Sequence, residues 1–119
     1  MSAKGTAFEN QVEADMQARG WIAKRLASTS GGDAGDVWAA TRDELAFIEC
    51  KAGRIGRCRP DQWNRLYRAA MAAGAVPVLA RRVYGRLAPG QHRITYLRLL
   101  GEKTGARGQR EPCEPWEPR

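Results

Sequence analysis

The sequence predicts an α/β fold, a small mixed β-sheet flanked by helices in the order α-β-β-β-α-β-β, and three observations predict it. Two segments carry apolar residues at helical spacing, one near the start and one in the middle. Five short apolar or alternating runs of strand length lie around them. Clusters of Gly, Ser, Asp and Pro punctuate the boundaries.

From Gly5 to Arg19 the pattern is helical, with Phe8, Val12 and Met16 on one stripe, Glu9, Glu13 and Asp15 off it, and Gly20 as the stop. Trp21 to Leu26 reads as a first strand with Trp21, Ala23 and Arg25 on one side. Ser28 to Gly35 is a loop rich in glycine and hydroxyls. Asp36 to Ala40 makes a second strand and Leu45 to Cys50 a third. The polar turn Thr41-Arg42-Asp43-Glu44 is short enough to make these two antiparallel neighbours.

Ala52 to Arg59 is a basic connector. Pro60 suits the first position of a second helix that runs to Ala73, is capped by Gly74 and has the apolar stripe Trp63, Leu66, Tyr67 and Ala70. Val76 to Val83 is a fourth strand and Ile94 to Leu100 a fifth. Residues 1–100 are therefore expected to form one domain. Residues 101–119, rich in Pro and Gly and poor in aliphatics, are expected to form a flexible tail that only Trp116 could dock. The four tryptophans, Trp38 and Trp63 among them, read as core residues.

At 119 residues the chain supports one modest core. No apolar run approaches the ~20 residues that span a bilayer, and Met1-Ser2-Ala3-Lys4-Gly5 lacks the apolar stretch of a secretion signal. A cytoplasmic protein without membrane contact is the expectation. Cys50, Cys58 and Cys113 show no C-x-x-C spacing and His92 is the one histidine, which argues against disulfide frameworks, zinc knuckles and two-histidine chemistry. Carboxylates, lysine and arginine remain. The net charge is +7, and residues 101–119 balance four basic against four acidic side chains, so the excess lies in residues 1–100. A basic body points to a polyanion partner, with a solubility surface as the plainer alternative.

The chemistry converges on Glu49-Cys50-Lys51, which ends the apolar run Leu45-Ala46-Phe47-Ile48 with charge where a core strand would carry aliphatics. Alternation puts Glu49 and Lys51 on one face, above Phe47. If the second and third strands pair through their turn, Asp36 comes beside Glu49. Two carboxylates and the Cys50 carbonyl would suit Mg²⁺, with Mn²⁺ as a substitute. Lys51 could then orient a water, take its proton or stabilise a phosphorane oxyanion. Plainer readings stand beside these. Glu49 and Lys51 could form a weak surface pair. Glu9 fits a capping box with Thr6. Asp33 competes with Asp36, which is favoured because a strand begins there. Ser30 could be ordinary turn chemistry, and Gln62, Arg65 and Arg68 could be a solvated helix face.

Gly5-Thr6-Ala7-Phe8-Glu9, Gly35-Asp36-Val37-Trp38-Ala39, Ile48-Glu49-Cys50-Lys51 and Gln62 together resemble archaeal-type Holliday junction resolvases of the PD-(D/E)XK nuclease superfamily. The likeness spans about residues 4–80 and keeps the order and spacing of four elements. It departs where Gly35 replaces the motif's proline, where Trp38 replaces a small aliphatic, and in the looser Gly31-Gly32 loop.

The resemblance implies a restriction-endonuclease-like fold and a homodimer that cuts four-way DNA junctions by Mg²⁺-dependent hydrolysis with paired symmetric nicks. It implies a catalytic set of Glu9, Asp36, Glu49, Lys51, Ser30 and Gln62, with Glu9, Asp36, Glu49 and Cys50 holding the metal. Lys4, Arg25, Arg54, Arg57, Arg59, Arg65 and Arg68 are then the expected phosphate contacts. A nuclease acting on flap, nicked or duplex DNA, a non-catalytic DNA-binding module and a plain interaction protein are the competing readings.

Overall fold

Phe8, Val12 and Met16, four residues apart, share one face of helix α1 (Ala3–Ala18), and all three are fully buried. The helix starts ahead of Thr6, which therefore lies inside it rather than at its cap, so the capping-box reading of Glu9 is overturned. The structure, a computed structural model, describes residues 3–26, 35–53, 57–90 and 92–119. Ser30, Arg54 and the side chain of Lys4 lie outside the described residues.

Three strands follow as an antiparallel meander: β1 (Ile22–Arg25), β2 (Val37–Ala40) and β3 (Leu45–Lys51). Helix α2 (Pro60–Ala73) opens on proline and closes on Gly74, whose φ of 68° is the left-handed conformation a helix end favours. It carries the chain across the sheet so that β4 (Val76–Arg82) lies parallel to β3, which only a crossover connection permits. β5 (Ile94–Leu99) returns antiparallel to β4. These are the predicted seven elements in the predicted order, and the mixed sheet is observed.

An eighth element appears where a tail was expected. β6 (Cys113–Pro115) pairs antiparallel with β5, and the six strands lie side by side in chain order. Residues 101–119 are fastened by polar contacts and one indole rather than by aliphatics. Trp63 Nε1 donates to Gly101 O at 2.8 Å, and Asn64 exchanges hydrogen bonds with the Lys103 backbone at 2.9 and 2.8 Å. Trp116 meets the rings of Trp21 and Tyr96 edge-on at 5.6 and 6.2 Å.

Successive residues of the central strands face opposite layers. Ala46, Ile48, Val78 and Ala80 pack with α1, while Phe47 and Leu79 pack with Trp63 and Leu66 of α2. Trp38 departs from its expected core role. It is 39 % exposed and stacks on its cross-strand partner Phe47 at 4.5 Å, because the outward face of β2 is not covered by α2. Among the described residues no helix is long and apolar enough to cross a membrane.

Candidate active site

The site is assembled where β2 begins and β3 ends. Gly35 takes a φ of 87°, and a Cβ added there would lie 3.1 Å from Ile48 O, so the chain enters β2 pressed against the β3 backbone. A proline, confined to φ near −65°, has no access to this conformation, so Gly35→Pro would require the entry to β2 to change. The next residue is held from both sides. Asp36 N donates to Ile48 O at 2.7 Å, and Asp36 O accepts from Leu26 N at 2.8 Å. Its carboxylate Oδ2 then accepts the Cys50 N–H at 2.8 Å, in the place of a ladder partner. In an extended strand the N–H and C=O of one residue point to the same edge, so the Cys50 carbonyl faces the Asp36 side as well.

Glu49 lies beside Asp36 and is largely buried. Burial and the Asp36 charge push its carboxyl up to about 8, Lys51 opposes this, and a hydrogen bond between the two carboxyl groups and the charge of Glu9 add to it. Lys51 Nζ stands 3.9 Å from Glu49 Oε2 and donates to Gln62 Oε1 at 2.8 Å. Gln62 is on the first turn of α2, so the crossover that makes β3 and β4 parallel also brings the helix start to the lysine. The glutamine acts on the ammonium by fixing where it points.

Glu9, on α1, is 5 % exposed, and burial followed by the Asp36 charge raises its pKa. Arg25 NH1 stands 3.5 Å from Glu9 Oε1, an ion-pair distance without a formed hydrogen bond, and this buried oxygen has no hydrogen-bond partner among the described residues. The three acids thus feel one another, yet no three His, Cys, Asp or Glu side chains among the described residues form a group that could hold a metal ion. Asp36 acts on both glutamates, its charge raising the pKa of Glu9 and of Glu49. The neighbouring half-buried carboxyls of Asp36 and Glu49, whose charges oppose each other, and the orphaned Glu9 oxygen nevertheless fit a divalent cation, which would offset that repulsion.

The expected phosphate contacts divide. Arg25 is turned to Glu9, Arg59 pairs with Asp61 at 3.4 Å, and Arg68 pairs with Glu102. Arg57 and Arg65 are exposed. Two residues were missed from sequence. Tyr84 OH donates to Ala52 O, just past Lys51, and Arg81 lies beside Lys51 in the parallel register. The register would have pointed to Arg81, whereas Tyr84 carries no local signal.

The raised carboxyl has a consequence for stability. Unfolded Glu49 releases its proton near 4.5 and folded Glu49 near 8, so between them the folded state holds more protons and stability falls as pH rises. In metal-free buffer the melting temperature is expected to drop by several degrees between these limits, and Glu49→Gln to flatten the slope. Differential scanning fluorimetry across pH checks this; equal slopes in the two proteins would refute it.

A family model described as archaeal Holliday junction resolvase (hjc) matches residues 1–103. Among solved structures, the chain is similar to Archaeoglobus fulgidus Hjc, a Holliday junction resolvase from an archaeal hyperthermophile, with 22 % identity over 79 % of this chain and 71 % of that one and a TM-score of 0.62. No curated protein sequence matches the chain significantly.

Proposed function

The chain belongs to the archaeal Holliday junction resolvase family, a family of nucleases, and from that premise we propose that it resolves four-way DNA junctions by metal-dependent phosphodiester hydrolysis, making paired symmetric nicks as a homodimer. The observation that carries the proposal is the row Asp36, Glu49, Lys51 and Gln62, in which Asp36 Oδ2 accepts the Cys50 N–H and the Lys51 ammonium stands 3.9 Å from Glu49 while donating to Gln62.

Asp36, Glu49 and the Cys50 carbonyl would hold Mg²⁺, for which Mn²⁺ substitutes, and Glu9 adds its charge from α1. The cation supplies a water of lowered pKa and offsets charge on the phosphate. Asp36 keeps the end of β3 in place through the Cys50 N–H, which fixes one of the two carboxylates against that strand. Lys51, held by Gln62, presents its ammonium to the attacking water or to the developing oxyanion. Ser30 is proposed to approach the phosphate from its loop. Lys4, Arg25, Arg54, Arg57, Arg59, Arg65 and Arg68 are proposed to contribute positive charge to DNA binding, Arg25 while also restraining Glu9. Two sites related by a twofold axis would match two opposed strands of a branched junction. The residues of the nuclease unit, 1–100, and a cytoplasmic location where DNA is reached belong to the same proposal.

The test offers a synthetic four-way junction, a linear duplex and a flap to the protein in Mg²⁺ and maps the cuts. Symmetric paired nicks, faster in the junction than in either other substrate, are expected. Faster flap cleavage or asymmetric junction cuts would replace the proposal with a related nuclease, and tight binding without cleavage would replace it with a binding module.

A further inference from the structure

A pocket of about 840 Å³ opens beside the site, between the connector ahead of α2, the end of β4 and the segment that follows β5. Its charged lining is Arg57, Arg59, Arg81, Lys103, Arg107 and Glu111, five cations against one carboxylate. Glu111 is engaged on two sides, by Arg81 at 2.7 Å and Lys103 at 3.0 Å. Burial would raise its pKa, but these two hydrogen bonds outweigh that and hold it below the ordinary value, so it stays ionised. Arg59 leans outward to Asp61. Among the described residues neither Arg57 nor Arg107 has an ion-pair partner. The cavity therefore keeps an excess of positive charge, which a concave wall concentrates.

Its position ties it to the chemistry. Arg81 is the register partner of Lys51 on the adjacent parallel strand, and Pro60, which lines the pocket, is two residues from Gln62. Buried Cys58, also in the lining, feels the charges of Glu49 and Lys51 on one side and of Lys103 and Glu111 on the other. One wall is built by residues 103–111, nearly all beyond residue 103, where the family match ends. That wall is seated closely: Gly105, with a φ of 78°, approaches Pro60 so tightly that a Cβ would lie 2.9 Å from its Cγ. The Asn64 and Trp63 bonds to Lys103 and Gly101 hold the start of the same segment.

We propose that this pocket is a phosphate-binding site for the DNA backbone adjacent to the scissile position, with Arg57 and Arg107 as its principal contacts and Arg81 and Lys103 supporting them. The proposal rests on the reading of the substrate as branched DNA. The volume takes a nucleotide unit rather than a lone ion, and guanidinium forks suit phosphodiester oxygens. The segment beyond the family match thereby extends the DNA-contacting surface of the nuclease past its active site.

The test measures binding of a four-way junction in Ca²⁺ over a range of salt for the wild type, Arg57→Ala/Arg107→Ala and Arg42→Ala, the last in the β2–β3 turn at the opposite end of β3. All three residues are exposed, and circular dichroism verifies that the variants remain folded. The double variant is expected to lose roughly 0.9 from the salt slope per phosphate contact removed, about two units in all, with affinity falling at least about tenfold. Single methylphosphonates, which neutralise one phosphate at a time, are then placed around the cut. One near the cut is expected to weaken the wild type and Arg42→Ala but not the double variant. An unchanged slope in the double variant, or no position that discriminates it, would overturn the proposal. So would loss of inorganic phosphate binding with junction binding intact, which would make the pocket a small-anion site. A wild type that binds linear duplex as well as junction, with the double variant still losing slope, would sink the junction reading while leaving the pocket in place.

Discussion

Glu49→Ala is expected to abolish junction cleavage, lowering the single-turnover rate by about 10³-fold or more, while junction binding in Ca²⁺ stays close to wild type. Glu49 is the most perturbed acid of the site, with its carboxyl near 8 from burial and the neighbouring Asp36. On the proposed reading the cation would lose one of its two carboxylate holders, and Lys51 would lose the carboxylate 3.9 Å away. Affinity should survive because the removed charge is negative and the phosphate contacts are elsewhere. Glu49→Gln carries a second readout: at pH 8 without divalent cation it should melt above the wild type, since it removes a buried repulsion. Cleavage by Glu49→Ala within tenfold of wild type in quench-flow assays would place the chemistry elsewhere in the molecule.

Trp63→Ala is expected to cost about 3–5 kcal/mol in urea unfolding, a large share of the ~5–15 kcal/mol that holds a domain together. The ring is fully buried against Phe47, Leu66, Leu79 and Leu99. Its Nε1 holds Gly101 O at 2.8 Å, and the Lys103 ammonium lies over the ring at 4.5 Å. One side chain thus joins α2 to the sheet and to the last segment together. Trp63→Phe should cost less, about 1–3 kcal/mol, by keeping most of the apolar area and leaving the carbonyl unpaired. Equal losses for the two variants would show that the hydrogen bond, and not packing, dominates.

The two helices were legible because Phe8, Val12 and Met16, and Trp63, Leu66 and Ala70, bury themselves at helical spacing, a signal carried by local residues alone. The β2–β3 hairpin and the closeness of Asp36 to Glu49 followed from a four-residue turn. β6 was not legible. Its three residues lack alternation, and it is held by Leu100 N donating to Pro112 O, Trp116 N donating to Tyr96 O and two distant aromatic rings, none of which leaves a local trace. Trp38 misled because an apolar strand position reads as core whether or not a helix covers it. The grip of Gln62 on Lys51 depends on the crossover, so the residues were identifiable but their link was not. Glu9 was identifiable as a candidate acid, whereas its nearness in charge to Asp36 and Glu49 is a matter of how α1 packs.

The contact of Trp116 with Trp21, and that of Tyr96 OH with Asp15 Oδ2 at 2.7 Å across 81 residues of chain, make the order of folding a topological matter. Helix α1, which brings Glu9 to the acids, leans on a surface completed only when the far end of the chain arrives. Contacts of such long sequence separation are slow to form, because much of the chain must be threaded into place before they repay the lost freedom. Refolding of this small protein should therefore end in one late, concerted step, in which Trp116 reaches Trp21 and Tyr96 reaches Asp15.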